Sequence, residues 1–196
     1  MHDTTYTLAN GKKYSVADHT FSETDLFLRE KHGETFPGLT DLTSTFDLIN
    51  HSIELNLEVK TGSYNLQRFT SLLFEQLSHY QPAGDIIISS FSFDLLEYLR
   101  RHLETFDLRY AFIFHSKDAF NTVPSGVSER FDLLHPHFRL LFDSPELFRT
   151  DTPIRCWTVN DQTVMKRVAQ CIPELPIEAV MTDNLAEINT FTTLFE

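Results

Sequence analysis

The chain has 196 residues, long enough for one sizeable core or two small ones, and its 41% hydrophobic and 22% charged residues are ordinary globular values. Its net charge of −12 argues against nucleic acid and anionic membrane surfaces, both of which need a cationic face. It leaves phosphorylated substrates open, because a bound divalent cation reverses the sign locally.

In chain order, residues 1–52 are polar and turn-rich, and no strand is expected there. IELNLEVK at 53–60 reads as a strand. NLQRFTSLLFEQLSHY at 65–80 sets Leu66, Phe69, Leu73 and Leu77 at helical spacing. DIIISSF at 85–91 is a β-branched strand and DLLEYLRRHL at 94–103 a helix. RYAFIF at 109–114 is a third strand, followed by a polar stretch at 116–130 with no clear element. FDLLHPH at 131–137 is a strand stopped by Pro136, and RLLFDSPELFRT at 139–150 is helical but broken at Ser144-Pro145. IRCWTVN at 154–160 and IEAVMTD at 177–183 are strands, each followed by a helix, at 161–172 and 184–195. No apolar run approaches the ~18 residues of a membrane-spanning helix. The polar HDTTYT after Met1 lacks a cationic leader, so no signal peptide is expected. Cys156 and Cys171 form no metal-type cluster and read as reduced, partly buried thiols of a cytoplasmic protein.

Strands alternating with helices imply parallel βα units. An open doubly wound sheet and a (β/α)8 barrel both fit. The doubly wound form expects a Gly-rich phosphate loop after an early strand, and the sequence has none.

The strand at 53–60 points to chemistry. Side chains alternate between faces, so Leu55, Leu57 and Val59 share one face and Asn56, Glu58 and Lys60 the other. On an edge strand the polar row is simply solvated. Inside a barrel such a row must pair or hold an ion, and at the C-terminal mouth it becomes a reaction site.

Four stretches, in this order and spacing, resemble the glycerophosphodiester phosphodiesterase family: LNLEVKT at 55–61, SSF at 89–91, WTVN at 157–160 and MTDN at 181–184. The opening MHD resembles the end of the family's second barrel strand, where a His-Asp pair recurs. The resemblance implies a TIM (β/α)8 barrel forming one partial domain over 1–196. Residues 4–52 become an insertion with the second helix, and 53–196 strands three to eight with their helices. A barrel of this kind takes about 250 residues. The first strand, first helix and most of the second strand are therefore expected to be missing. With them go a His-Arg-Gly motif and a metal-binding Glu-x-Asp pair, neither of which occurs in the sequence.

The implied reaction is metal-dependent hydrolysis of a glycerophosphodiester, a small molecule, to glycerol 3-phosphate and an alcohol. Glu58 is implied as a ligand of Mg²⁺ or Ca²⁺, which takes several oxygens. Lys60 is implied to neutralise the phosphoryl oxygens. His2 is implied as the general acid, a task suited to a group that titrates near neutrality. Trp157 is implied to line the pocket beside the substrate. Ser90 ends a strand, where it meets either the site or the packing, and His135 faces either the mouth of the barrel or its core. Asp183 and Asn184 read as caps of the last helix. With two carboxylates, a histidine and an arginine absent, the chain alone is expected to be inactive. The alternative is a degenerate family member serving as a structural or binding protein, with strands three and eight as open edges that invite self-association.

Overall fold

A computed structural model describes residues 5–7, 11–36, 38–48, 53–79, 86–124, 130–148 and 150–184. The chain divides into two compact units, Met1–Ile53 with Gly62–Ala83, and Glu54–Thr61 with Gly84–Glu196.

The first unit holds a hairpin that the sequence reading does not anticipate. β1 (Thr5–Thr7) and β2 (Lys13–Ser15) pair antiparallel with Tyr6 opposite Tyr14. Three-residue strands carry almost no periodic signal, and tertiary cover makes up for it. The Tyr14 ring stacks on Phe27 at 4.1 Å, Tyr6 meets the same ring at 5.8 Å, and the Lys31 ammonium sits 4.4 Å from the Tyr6 centroid. Phe27 and Lys31 belong to α1 (Phe21–His32). A reciprocal Thr20–Glu23 capping box starts that helix, and Gly33, at φ 64°, ends it. α2 (Leu42–Leu48) opens where Asp41 accepts the Ser44 N–H at 2.7 Å. α3 (Leu66–His79) follows the spacing read from the sequence and buries Thr70, Leu73 and Leu77.

The second unit is a six-stranded parallel sheet. Its strands are β3 (Leu55–Glu58), β4 (Ile86–Ser90), β5 (Leu108–Phe114), β6 (Leu133–Pro136), β7 (Ile154–Cys156) and β8 (Ile177–Val180). They lie in sequence order and every neighbouring pair is parallel. A doubly wound sheet reverses its order at a switch point, and none occurs among the six described strands. α4 (Phe93–His102), α5 (Lys117–Asn121), α6 (Arg139–Asp143) and α7 (Gln162–Cys171) fill the connections. α5 lies in the polar stretch at 116–130, where Ser116 caps it by accepting the Ala119 N–H. The predicted helix at 139–150 breaks at Ser144-Pro145 as expected, leaving α6 and a 3-10 turn over Pro145–Phe148. The helix expected at 184–195 lies outside the described residues, apart from its first.

Alternation divides the sheet into two faces. Ile88, Tyr110, Phe112, Leu134 and Ile154 share one, with α4 burying Leu95, Leu96 and Leu99 and α7 burying Met165 and Val168. Ile87, Ala111 and Leu133 cluster on the other. The sheet curls around this second face. Glu54, just before β3, hydrogen-bonds Arg155 of β7 at 3.0 Å. Four strand spacings in a flat sheet would separate those strands by roughly 19 Å. The fold is thus α/β with a curled parallel sheet, of which six strands are described.

Candidate active site

Because all six strands are parallel, their C-terminal ends fall on one rim. Backbone hydrogen bonds continue past the strands and hold that rim in order. Val59 N–H donates to Ser89 O at 2.8 Å, His137 N–H to Phe114 O at 2.8 Å and Trp157 N–H to Pro136 O at 3.1 Å. Met181 N–H donates to Cys156 O at 2.9 Å.

Glu58 ends β3 on the inner face, in register with Ser89, Ala111 and Leu133. Lys60 follows on the same side, and its ammonium contacts the Glu58 carboxylate at 2.5 Å. Both side chains keep about a third of their surface in solvent, 32% for Glu58 and 31% for Lys60. The polar row of the sequence therefore resolves into an ion pair open to water at the strand end. There it can meet a ligand without the desolvation cost of a fully buried pair.

Trp157 stands at the end of β7, half-buried, and its indole N–H donates to the His135 carbonyl at 2.7 Å. That bond fixes the ring's orientation. Phe91 meets Trp157 edge-on at 5.6 Å, and His137 meets it edge-on from the other side at 5.2 Å. His115 lies 6.5 Å from Phe91. Phe91, His115, His137 and Trp157 thus form one run of rings across the ends of β4 to β7. The His137 Nδ1 accepts the Arg139 N–H at 3.3 Å. Partial burial holds the pKa of His137 below its ordinary value, helped by the Arg139 and His115 charges. At neutral pH it is an uncharged imidazole whose proton is on Nε2.

Two residues weighed for the site, Ser90 and His135, are fully buried. Ser90 is fully buried, donates to Val59 O at 2.7 Å and accepts the Ser92 N–H at 3.2 Å. It latches β3 to β4, with its hydroxyl turned to the backbone. His135 is also fully buried, and neither ring nitrogen has a hydrogen-bond partner among the described residues. Burial pushes its pKa down to about 3, with the nearby Arg155 adding to the shift. Of the two histidines that bracket Pro136, His137 is the one at the rim. His2 lies outside the described residues. Asp183 accepts a hydrogen bond from the Asn160 amide at 3.0 Å and returns its own N–H to the Asn160 carbonyl oxygen at 2.8 Å, clamping the end of β7 to that of β8.

The sequence reading missed the rim rings Phe91, His115 and His137. A usable signal was present, since each is the first residue past its strand. It also missed an ion network at the opposite ends of the strands. Glu54 pairs with Arg109 of β5 and Arg155 of β7, and Arg155 bonds Glu178 of β8 at 2.5 Å. The Arg155 hydrogen bond, assisted by both guanidinium charges, holds the Glu54 carboxyl below its usual pKa.

The architecture is shared with solved structures. A phosphodiesterase of Oleispira antarctica, solved in complex with the product sn-glycerol-3-phosphate, superposes with a TM-score of 0.71 at 15% identity. The match covers 98% of this chain and 78% of that one. A glycerophosphodiester phosphodiesterase from Parabacteroides distasonis ATCC 8503 gives a TM-score of 0.64 at 16% identity, covering 98% and 83%. The chain has the fold of the glycerophosphodiester phosphodiesterases. No protein-family model and no curated protein matches its sequence. On the fold of these phosphodiesterases, Glu58, Lys60 and Trp157 occupy strand ends, the side of a barrel that carries its chemistry. Among the described residues no helix is long and apolar enough to cross a membrane.

Proposed function

We propose that the chain acts on glycerophosphodiesters, hydrolysing them to glycerol 3-phosphate and an alcohol. The observation that carries this reading is the Glu58–Lys60 pair, placed at the C-terminal end of an inner-face strand on the phosphodiesterase fold. The bound product of the Oleispira antarctica structure supports the substrate class. Lys60 offers an ammonium that neutralises charge on the phosphoryl oxygens, and Glu58 keeps that ammonium at the rim. Trp157, fixed through His135 O, walls one side and limits water there. His2 remains the proposed general acid.

The resemblance also implies Mg²⁺ or Ca²⁺, with Glu58 as ligand. Such ions take six or more oxygens. Among the described residues no group of three histidine, cysteine or acidic side chains stands together, and Glu58 is engaged by Lys60. The described donor set does not make up such a site, and no step here is routed through an ion. The same observation favours a second reading: a protein that binds phosphodiesters without turning them over.

One experiment separates the readings. The chain is incubated with glycerophosphocholine in Mg²⁺ or Ca²⁺, and released glycerol 3-phosphate is measured beside equilibrium binding of the diester. Release that falls at least ~100-fold in Lys60→Met and Glu58→Gln supports hydrolysis by the assigned residues. Binding without release, weakened by Lys60→Met, supports the second reading. Neither binding nor release sinks both. The two side chains are part-exposed, so each variant should lose less than ~1 kcal/mol of stability, and lost function will not mean lost fold.

A further inference from the structure

His137 keeps one group that its structural role does not use. Its backbone N–H donates to Phe114 O of β5 at 2.8 Å, and its carbonyl accepts the Leu140 N–H at 3.0 Å. Its Nδ1 accepts the Arg139 N–H at 3.3 Å. Those bonds join the end of β5 to the start of α6. Nε2 then carries the proton, and that N–H has no hydrogen-bond partner among the described residues. The ring is held as well as the backbone. It stacks on Phe138 with centroids 4.6 Å apart and meets Trp157 edge-on at 5.2 Å. The Phe138 N–H in turn donates to Trp157 O at 2.8 Å. A donor fixed in this way needs no reorganisation when charge arrives beside it.

Its place in the sheet selects what it meets. His137 pairs in parallel with Trp157, so both continue the inner faces of β6 and β7. Toward the other ends of the strands, Glu54 and Arg155 hydrogen-bond at 3.0 Å across the interior. That contact turns the inner faces of β3 and β7 toward each other, and β6 lies next to β7. Lys60, on the same face of the chain as Glu54, therefore stands across the mouth from His137. A phosphodiester has two non-bridging oxygens that point apart, and one ammonium serves only one of them well. His137 supplies a donor for the second. Partial burial, with the Arg139 and His115 charges, keeps the imidazole neutral, and the same two charges favour an anion beside it. A neutral imidazole donates a hydrogen bond and keeps its proton, so His137 holds an oxygen and leaves proton transfer to another group.

We propose that His137 is a phosphoryl-binding residue of the site, its Nε2–H donating to the non-bridging oxygen that lies away from Lys60. The assignment rests on the phosphodiester reading.

The test uses the full chain and needs no turnover. Ring ¹H–¹⁵N spectra of the histidine-labelled chain are recorded at pH 7.5 during titration with glycerol 3-phosphate, and affinities are measured by calorimetry. The His137 signal is identified by its loss in His137→Phe. The expected spectrum has the His137 proton on Nε2, and the Nε2 resonance moves on binding with the midpoint that calorimetry gives. His137→Phe keeps a ring beside Trp157 and removes the donor, whereas His137→Gln puts an amide N–H in place of Nε2–H. The first should weaken glycerol 3-phosphate binding at least ~10-fold and the second less than ~3-fold. An Nε2 signal that does not move at saturation, a proton on Nδ1, unchanged affinity in His137→Phe, or equal losses in the two variants overturns the assignment and leaves the phosphodiester reading standing. Binding of neither glycerol 3-phosphate nor glycerophosphocholine overturns both.

Discussion

His135 shows how one side chain sets a property of the protein. It is buried with no hydrogen-bond partner among the described residues and stays neutral, its pKa pushed down to about 3 from an ordinary 6.5. The unfolded chain takes up a proton at this residue as pH falls through 6.5, whereas the folded chain does so only near 3. Between those values the unfolded state binds more protons, so acid favours unfolding. The contribution is full above about pH 6.5 and declines by about 1.4 kcal/mol per pH unit toward pH 3. His135→Leu should flatten this decline by close to one proton. It should not destabilise the protein at pH 7.5, because it also removes two unpartnered nitrogens. Urea unfolding of both proteins from pH 7.5 to 4 tests this, and parallel pH profiles would refute it. Glu58 and Lys60 were legible in the sequence because a polar row on an apolar strand is conspicuous by alternation alone. The places of Ser90 and His135 were not. Strand parity decides which face a residue takes, but depth inside a curled sheet depends on register with strands distant in sequence.

The Glu54 network is an element-scale device. It joins the start of β3 to β5 and β7, and Arg155 carries it on to β8. A single carboxylate thereby pins the curl of the sheet. Arg155 is the more buried partner, with 14% of its side chain exposed, and it depends on Glu54 and Glu178 for compensation. Glu54→Gln removes charge from one side and should cost about 2–3 kcal/mol in chemical denaturation at pH 7. Removing the exposed Lys117–Glu146 pair should change the midpoint far less. A Glu54→Gln loss no larger than that of the surface pair would show that the curl does not rely on the network. The sheet itself could be read from the sequence because its strands are continuous β-branched or apolar runs between good helices, and packing agreed with local propensity. The β1–β2 hairpin could not be, since its strands are three residues long and Tyr14 is positioned by Phe27, thirteen residues away. Nothing in TYT or KYS predicts that partner.

At the scale of the whole molecule the two units differ in how they are stabilised. In the second, β4 is buried at every residue and β5 from Tyr110 to Phe114, so each central strand has neighbours on both edges and cover on both faces. β3 and β8 flank the described sheet and are only partly buried. In the first unit α1 buries only Thr24 and Leu28, while Phe21 and Leu26 are 53% and 59% exposed. α3 leaves Leu72 and Phe74 at 50% and 42%. Opening α1 or α3 therefore exposes little new apolar surface, and the free energy of a local opening scales with the surface it uncovers. Amides of α1 and α3 should exchange with solvent through such local openings, well before those of β4 and β5, with β3 and β8 in between. Native-state hydrogen exchange in increasing urea tests the order. The central strands should exchange only by global unfolding, with a strong urea dependence, and α1 and α3 with a weak one. If all four elements exchanged with one free energy and one urea dependence, the two units would be a single cooperative structure, and the small buried set of α1 would be no guide to its stability.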